Sequence, residues 1–574
     1  MFINIKEWIW MSDLNIVVIG GVACGPKAAA RAKRCNPHAQ VTLIERGHDI
    51  SYGGCGLPYY VGSTVKELKD LMTTSWEAVR TPEFMKETKD IDTLLGWEAT
   101  KIDRANKTVE VKDLHSDEVK VLPYDKLVIA TGATNFKPPI KNIDAKGVFT
   151  MKTPDDAVAM QAYIKENGVE SAVVIGAGLI GMETAEAYAT WGVDVTIIER
   201  QPQIFPQMLD KEMAAVFQNY LESEDLNFML ATNAEAFEVD EEGKVTAVVT
   251  DKGTVEAQMV LVAVGVRPVV DLAKDCGLEV EKAIVVNEYC QTSDPDIYAG
   301  GDCVMVKNLI SGELMYAPMG STANKHGRII GTNITGGHET LPGVVGTSIV
   351  KMFDWSAGKV GLSEKDCARL GIDYVTVIVP GPDITHFMPG KKVIMVRLLA
   401  EKATGKILGV QIVGPGHVDK RIDTMAVAIS MGVTADQMSK MDLAYAPPFS
   451  SAVDNLLVAS NVMKNTLDGM AHSIRFFDVV EKLDSDDVVF VDLRTAHERA
   501  QKAFPGKHQI HIPIEELRAR ANEVPKDKEA ILFCIYSTRG FEGQLILEQA
   551  GHPNVKFIQG GIQLWPFDQY AKKN

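Results

Sequence analysis

"SAVVIGAGLIGMETAEAYATWGVDVTIIER", residues 171–200, decides how the rest of the chain is read. An apolar run ends at Gly176, a helix-forming stretch follows Gly178, and a second apolar run closes on Glu199. Gly176, Gly178 and Gly181 have the GxGxxG spacing of a strand–turn–helix–strand unit that takes a dinucleotide. The first glycine allows the tight turn, the second lets a pyrophosphate reach the backbone, and the third lets the helix pack on the strand. Amides at the helix start attract the pyrophosphate, and the acid takes the ribose hydroxyls. A glycine turn with no ligand accounts less well for the whole pattern. An acid at position 199 favours NADH over NADPH, because its charge repels a 2′-phosphate, although Arg200 follows it.

A second copy lies upstream, in "LNIVVIGGVACGPKAAARAKRC" (14–35) followed by "QVTLIER", which carries Glu45. Gly20 and Gly25 are present, with Val22 in the central glycine position and Ala23 beside it. The alternative is a simple tight turn, but the spacing and the acid both fit a nucleotide site. Two such units suggest two dinucleotides. "YDKLVIATGA" (124–133) and "QTSDPDIYAGGDC" (291–303) read as strands ending in small residues, the second presenting Asp302 after Gly301.

These segments, in this order, resemble the flavin-dependent pyridine nucleotide–disulfide oxidoreductases. The resemblance implies that FAD binds at Gly20, Val22, Ala23, Gly25, Glu45, Ala130, Thr131, Gly132, Gly301 and Asp302. It implies the nicotinamide nucleotide at Gly176, Gly178, Gly181 and Glu199. The implied fold is α/β, with a split FAD domain (12–150 and 267–335), an NAD domain (151–266) and an α/β dimerisation domain (336–465).

Length alone argues for several domains. A formal charge of −17 makes nucleic-acid or anionic-membrane binding unexpected. Eight scattered cysteines read as a reducing compartment, so the cytoplasm is the expected location. No apolar run approaches the roughly 20 residues that span a bilayer. "MFINIKEWIW" lacks the features of a secretory signal, and Met11 would serve as a natural start. No metal site is expected.

"SYGGCGLPYY" (51–60) holds Cys55, which read alone is a buried filler, half of a disulfide or a reactive thiol. Cys35 and Cys276 are its nearest cysteines in sequence, and Tyr60 stands where a CxxxxC pair needs a second thiol. The superfamily places its redox sulfur here, beside the flavin. Flanking glycine amides and a helix starting at Leu57 would lower the thiol pKa. The single-cysteine branch includes NADH peroxidases, NADH oxidases and coenzyme A disulfide or persulfide reductases. NADH peroxidases carry histidine where Ala23 stands. "GGVACG" and "CGLPYY" resemble the coenzyme A disulfide reductases, with Gly54 in place of their asparagine.

Lys27, Arg31 and Arg34 fall on one helix face, which by itself is most simply a solvated stripe. The resemblance implies contacts from some of them to coenzyme A phosphates, with Ser51 near the pantetheine arm. "LAYAPPFSSAVDNL" (443–456) resembles the family segment whose tyrosine, here Tyr445, reaches the catalytic thiol from a partner subunit, implying a homodimer. A second family tyrosine is replaced by "THFMPG", with Phe387 and Met388, leaving Tyr445 to act alone or with His386.

The pattern restarts after Gly469. "VVFVDLRTAHE" (488–498), "EAILFCIYSTRG" (529–540) and "NVKFIQGGIQLW" (554–565) alternate strands with helices, one of them expected over about 541–550. Cys534 ends a strand and opens a loop whose amides, with Arg539, form an anion cradle. Residues 472–574 resemble a rhodanese domain, in which Cys534 would carry sulfane sulfur.

Together these features point to an NADH- and FAD-dependent reductase of persulfide or polysulfide sulfur, with coenzyme A persulfide the expected substrate and sulfide the product. Cys55 and Cys534 would be the reacting sulfurs, assisted by Tyr445 and Arg539. One alternative is a coenzyme A disulfide reductase serving thiol homeostasis. Another is a flavin-bound sulfur or redox sensor.

Overall fold

The computed structural model describes residues 14–571, so the expectation about Met11 lies outside the described residues. The chain opens with β1 (Asn15–Ile19), α1 (Cys24–Cys35), β2 (Gln40–Glu45), α2 (Leu57–Val61), β3 (Asp92–Leu95) and β4 (Lys126–Ile129). It continues through β5 (Val148–Phe149), α3 (Pro154–Asn167), β6 (Ser171–Ile175), α4 (Leu179–Ala189), β7 (Asp194–Glu199) and α5 (Lys211–Ser223). Then come β8 (Met259–Val262), β9 (Ile297–Ala299) and α6 (Gly320–Asn333). Two compact units result. One holds the chain up to Arg200 with Thr232–Val344, the other Gln201–Ala231 with the chain from Val345 on.

In the first unit, β9-β4-β1-β2-β3 form one parallel sheet, and β7-β6-β8-β5 run parallel in another. Side chains alternate across a strand, so Ile16 and Val18 enter one apolar cluster while Val17 and Ile19 enter another. Both faces of the sheet are thereby covered, as an unbroken NIVVI run requires. Ala28, Ala29 and Ala32 of α1 close the first cluster.

The two glycine turns are built alike. Gly20 and Gly176 have φ of +110° and +105°, a region costly for any side chain. A Cβ on Gly25 would lie 1.9 Å from the Gly20 carbonyl oxygen, and one on Gly181 2.1 Å from that of Gly176. The spacing of glycines in the sequence therefore records how closely each helix sits on its strand.

The second unit adds β10 (Ser348–Met352), β11 (Trp355–Gly361), β12 (Tyr374–Pro382), β13 (Val393–Glu401) and β14 (Ile407–Gly414). These form an antiparallel sheet in the order β10-β11-β14-β13-β12, followed by α7 (Asp419–Ser430) and α8 (Asn455–Leu467). The last module holds β15 (Ser473–Ile474), β16 (Val488–Asp492), α9 (Ala496–Gln501), β17 (Gln509–His511), β18 (Glu529–Phe533), α10 (Thr538–Gln549) and β19 (Val555–Ile558). Its sheet is parallel, in the order β15-β19-β18-β16-β17.

A buried ionic cluster lies within this second unit. Arg397 of β13 meets Glu212 of α5 at 2.9 Å, Glu364 at 2.8 Å and Asp210 at 3.3 Å. Arg475, following β15, pairs with the same Glu212 and Glu364. Burial alone would raise the Glu212 pKa, but the two guanidiniums hold it below its ordinary value.

α10 starts at Thr538 rather than near residue 541. Ser537 takes a left-handed φ of 72°, which turns the chain straight into the helix. Gly540, inside this helix, serves packing: a Cβ there would lie 2.9 Å from that of Phe557.

Candidate active site

The first unit presents two cradles of the same construction. α1 begins after Ala23 and α4 after Gly178, and among the described residues no side-chain hydrogen bond caps either start. Those first-turn amides suit an anion such as a pyrophosphate. In the first cradle the Gly21 amide donates to Glu45 Oε2 at 2.6 Å; in the second the Ala177 amide donates to Glu199 Oε2 at 2.9 Å. Each acid is thus set beside its glycine turn at the end of the adjoining strand, where ribose hydroxyls would meet it.

Val22 and Ala23 lie in the first turn, and Ala130, Thr131 and Gly132 directly follow β4. The Ala130 amide bonds to Ile19 O at 2.8 Å, which closes that stretch onto the cradle. Gly301 and Asp302 follow β9, and the Gly301 amide donates to His326 Nδ1 at 3.2 Å. Burial pushes the His326 pKa down to about 4, so the ring stays neutral and accepts that bond. Asp302 lies 4.0 Å from Lys152. Its pKa is raised by burial against the opposing pull of Lys152. The glycine crowding, uncapped helix starts and strand-end acids fit an FAD in the first cradle and a nicotinamide nucleotide in the second.

Cys55 sits in a single 3-10 turn, Gly54–Gly56, and is exposed. α2 follows directly, with Leu57, Pro58 and Val61 buried. Gln161 Nε2 donates to Tyr60 O at 2.9 Å and Trp191 Nε1 to Val61 O at 2.7 Å, pinning α2. The Cys55 turn therefore stands on a fixed base; its residue surface is open, while the sulfur leans on protein atoms that withhold solvent from it.

The expectation of a lowered thiol pKa is corrected. Atoms crowded about the sulfur withhold solvent from a thiolate and raise its pKa, and the Glu183 and Asp302 carboxylates add to this. Lys152 and the Cys55 backbone amide oppose the rise without cancelling it. α2 spans five residues, too short for a strong helix dipole. Sequence reading missed Glu183, Tyr59 and Lys152. Glu183 is visible as an acid in the helix of the second glycine motif, but only the packing of α2 against α4 brings it to Cys55.

Lys27 and Arg34 are exposed on α1, whereas Arg31 is partly committed. Its Nε donates to Thr332 Oγ1 at 2.9 Å and its guanidinium lies 3.5 Å from Glu339. Ser51 has a φ of 55°, and its carbonyl accepts from Arg80 Nη1 at 2.9 Å.

In the second unit, Tyr445 is 52% exposed, as are Phe387 (65%) and Phe449 (66%). The loops carrying them are joined, since the Thr385 amide donates to Pro447 O at 3.2 Å.

Cys534 directly follows β18, one residue past the strand end, and is buried in the apolar cluster of the last module. The short turn 534–537 leads into α10, whose first turn brings Arg539 back to it, close enough for the thiol and guanidinium to interact. Arg539 is fixed by Glu498 of α9, with its two Nη atoms 2.7 and 2.8 Å from the carboxylate oxygens. Thr495 and Glu498 form a capping box that fixes α9. Glu498 stands in the quoted stretch 488–498, yet nothing in sequence links it to Arg539. A neighbouring buried pair, Asp492 and Arg494, bonds at 2.8 Å and braces the end of the adjoining strand β16.

Comparison with known proteins agrees with this geometry. Residues 14–323 match the pattern described as pyridine nucleotide-disulphide oxidoreductase, 347–457 its dimerisation domain and 478–566 a rhodanese-like domain. A CoA-dependent NAD(P)H sulfur oxidoreductase of Pyrococcus furiosus is 36% identical over 456 residues, covering 79% of this chain and all of its own. The structure of an NAD-dependent persulfide reductase from A. fulgidus is similar with a TM-score of 0.92 and 43% identity, covering 96% of this chain and 100% of that one. The reduced Bacillus anthracis CoADR-RHD structure follows with a TM-score of 0.89 and 34% identity, covering 97% and 98%. An α/β chain with two dinucleotide cradles, a dimerisation domain and a rhodanese module thus belongs to the pyridine nucleotide–disulfide oxidoreductase family, whose members use FAD and NAD(P)H.

Proposed function

We propose that this protein is an NADH- and FAD-dependent reductase of persulfide or polysulfide sulfur, with coenzyme A persulfide as substrate and sulfide as product. The observation that carries this reading is one chain with two sulfur centres: an exposed lone Cys55 beside two dinucleotide cradles, and Cys534 within reach of Arg539. The names of the relatives from Pyrococcus furiosus and A. fulgidus support it.

Bound in the first cradle, FAD supplies two-electron transfer between a nicotinamide and a sulfur. Gly20, Gly25, Glu45 and Asp302 would hold it; Gly176, Gly178, Gly181 and Glu199 would hold NADH, with Glu199 excluding the 2′-phosphate of NADPH. The Cys55 thiolate attacks the sulfur–sulfur bond of the substrate, giving a mixed disulfide or an enzyme persulfide. Lys27, Arg34 and the partly committed Arg31 would meet coenzyme A phosphates, with Ser51 near the pantetheine arm. Cys534 would take sulfane sulfur as a persulfide, its outer sulfur facing Arg539, and pass it to coenzyme A or another acceptor. The exposed Tyr445 loops would be covered in a homodimer, where Tyr445 would serve the partner subunit's thiol.

The test is anaerobic NADH oxidation with sulfide release, using coenzyme A persulfide and coenzyme A disulfide at matched concentrations. Sulfide formed in step with NADH, and faster than disulfide turnover, supports persulfide reduction. Faster disulfide turnover supports the second reading, a coenzyme A disulfide reductase, which the likeness to the CoADR-RHD structure favours.

A further inference from the structure

Arg421 of α7 is 1% exposed, and its guanidinium gathers three loops of the second unit. Nη2 donates to Asp383 O at 2.8 Å, in the loop between β12 and β13. Nη1 donates to His417 O at 2.8 Å, in the loop between β14 and α7. Nε and Nη2 bond to the two oxygens of Asp454 at 3.1 and 2.8 Å, at the end of the loop that carries Tyr445. Asp454 also accepts from the Leu456 amide at 3.0 Å, capping α8, and from Ser450 Oγ at 2.8 Å. Burial alone would raise the Asp454 pKa, but Arg421, the Leu456 amide and Ser450 hold it below its ordinary value, so it faces the guanidinium as a carboxylate at neutral pH.

The loops are tied to one another nearer their tips. Thr385 Oγ1 donates to Ser450 O at 2.9 Å, and the His417 amide to Asp383 Oδ2 at 3.2 Å. Ala446 O accepts from the Phe449 and Ser450 amides at 2.9 and 3.1 Å, closing a tight turn directly after Tyr445. Residues 383–392 and 441–454 form no helix or strand, so these bonds set their shape. Their roots are buried and polar, while His386, Phe387 and Tyr445 stand open at the tips.

We propose that Arg421 is a positioning residue for the sulfur step: through Asp454 and Ser450 it sets the Tyr445 loop where the tyrosine serves the partner subunit's Cys55. The inference rests on the reading in which Tyr445 works across the dimer. A loop with no ladder of its own passes any shift at its root to its tip, and a misplacement of about 1 Å at a reacting group costs about hundredfold in rate. Arginine suits the root because its flat fork reaches several acceptors at once; lysine would keep the charge but hold fewer of them.

The test uses the FAD-loaded dimer and coenzyme A persulfide under anaerobic conditions. Arg421→Lys should lower kcat for NADH-linked sulfide release by about tenfold to hundredfold, leaving KM for NADH and Cys534 sulfur transfer to cyanide unchanged. Ser450→Ala, which keeps the buried ion pair, should lower kcat in the same direction by less. Mixed dimers then separate positioning from a general loss of structure. In a dimer of one Cys55→Ser subunit and one Arg421→Lys subunit, the remaining Cys55 meets the intact loop, so the rate should return to about half that of wild type. A dimer pairing Cys55→Ser with Tyr445→Phe should return to the same level. Where Arg421→Lys does not yield a dimer, Ser450→Ala takes its place in the pairing. Recovery with Tyr445→Phe but not with Arg421→Lys overturns the positioning role and leaves the Tyr445 reading intact. Recovery with neither overturns both, and a wild-type kcat in Arg421→Lys homodimers overturns the positioning role alone.

Discussion

Arg539 and Glu498 are locked in a two-pronged ion pair, at 2.7 and 2.8 Å, directly beside the Cys534 thiol. The pair holds the planar guanidinium aimed, which a single contact could not do. It also draws the Glu498 pKa down to about 2, so the carboxylate stays charged at any working pH.

Arg539→Ala should therefore lower sulfur transfer from a sulfane donor to cyanide by about tenfold to hundredfold. Arg539→Lys should restore only part of it, because an ammonium cannot hold the two-pronged geometry. Equal rates in the alanine variant and wild type would show that the loop amides alone hold the persulfide.

Serine substitutions should separate the two sulfur centres. Cys55→Ser is expected to abolish NADH-linked sulfide release while keeping sulfur transfer to cyanide. Cys534→Ser is expected to abolish sulfur transfer to cyanide, to keep NADH-linked sulfide release from coenzyme A persulfide, and to slow polysulfide turnover. Polysulfide turnover left intact in Cys534→Ser would sink the idea that the last module feeds the first.

Glu199→Ala should shift nucleotide preference towards NADPH, with kcat/KM for NADH falling by about tenfold as the ribose contact is lost. Steady-state rates with each nucleotide measure this directly. An unchanged ratio would mean that the Glu199 bond to the Ala177 amide is its whole role.

Arg397→Met should destabilise the second unit, since Glu212 and Glu364 would share only Arg475 and Asp210 would lose its guanidinium. Breaking a buried ion cluster this way costs about 3–5 kcal/mol. The folded-state pKa of Glu212 is depressed, so its stabilising contribution is present above the ordinary carboxylate range and lost as pH falls through its folded value. Urea midpoints of wild type and variant, compared at neutral and acidic pH, should show a gap that narrows on acidification.

Much of this architecture was legible in the chain. GAGLIG and GGVACG mark the two cradles because a turn at φ near +105° and a helix seated on a carbonyl exclude side chains, and that exclusion is local. Cys534 and Arg539 were legible for the same reason, since one short loop joins them. The start of α10 was not, because Gly540 answers to Phe557 on another strand.

The properties of the Cys55 thiol belong to the tertiary structure. Sequence places the cysteine among glycines before a helix, an arrangement that lowers a pKa where solvent and the dipole dominate. In the fold, crowding and the carboxylates of Glu183 and Asp302 outweigh a five-residue helix. Tyr59 and Glu183 are 124 residues apart, and they meet because α2 packs on α4. Local spacing determined where the backbone turns and which elements form; desolvation and charge proximity, which depend on what folds over each group, were decided only in three dimensions.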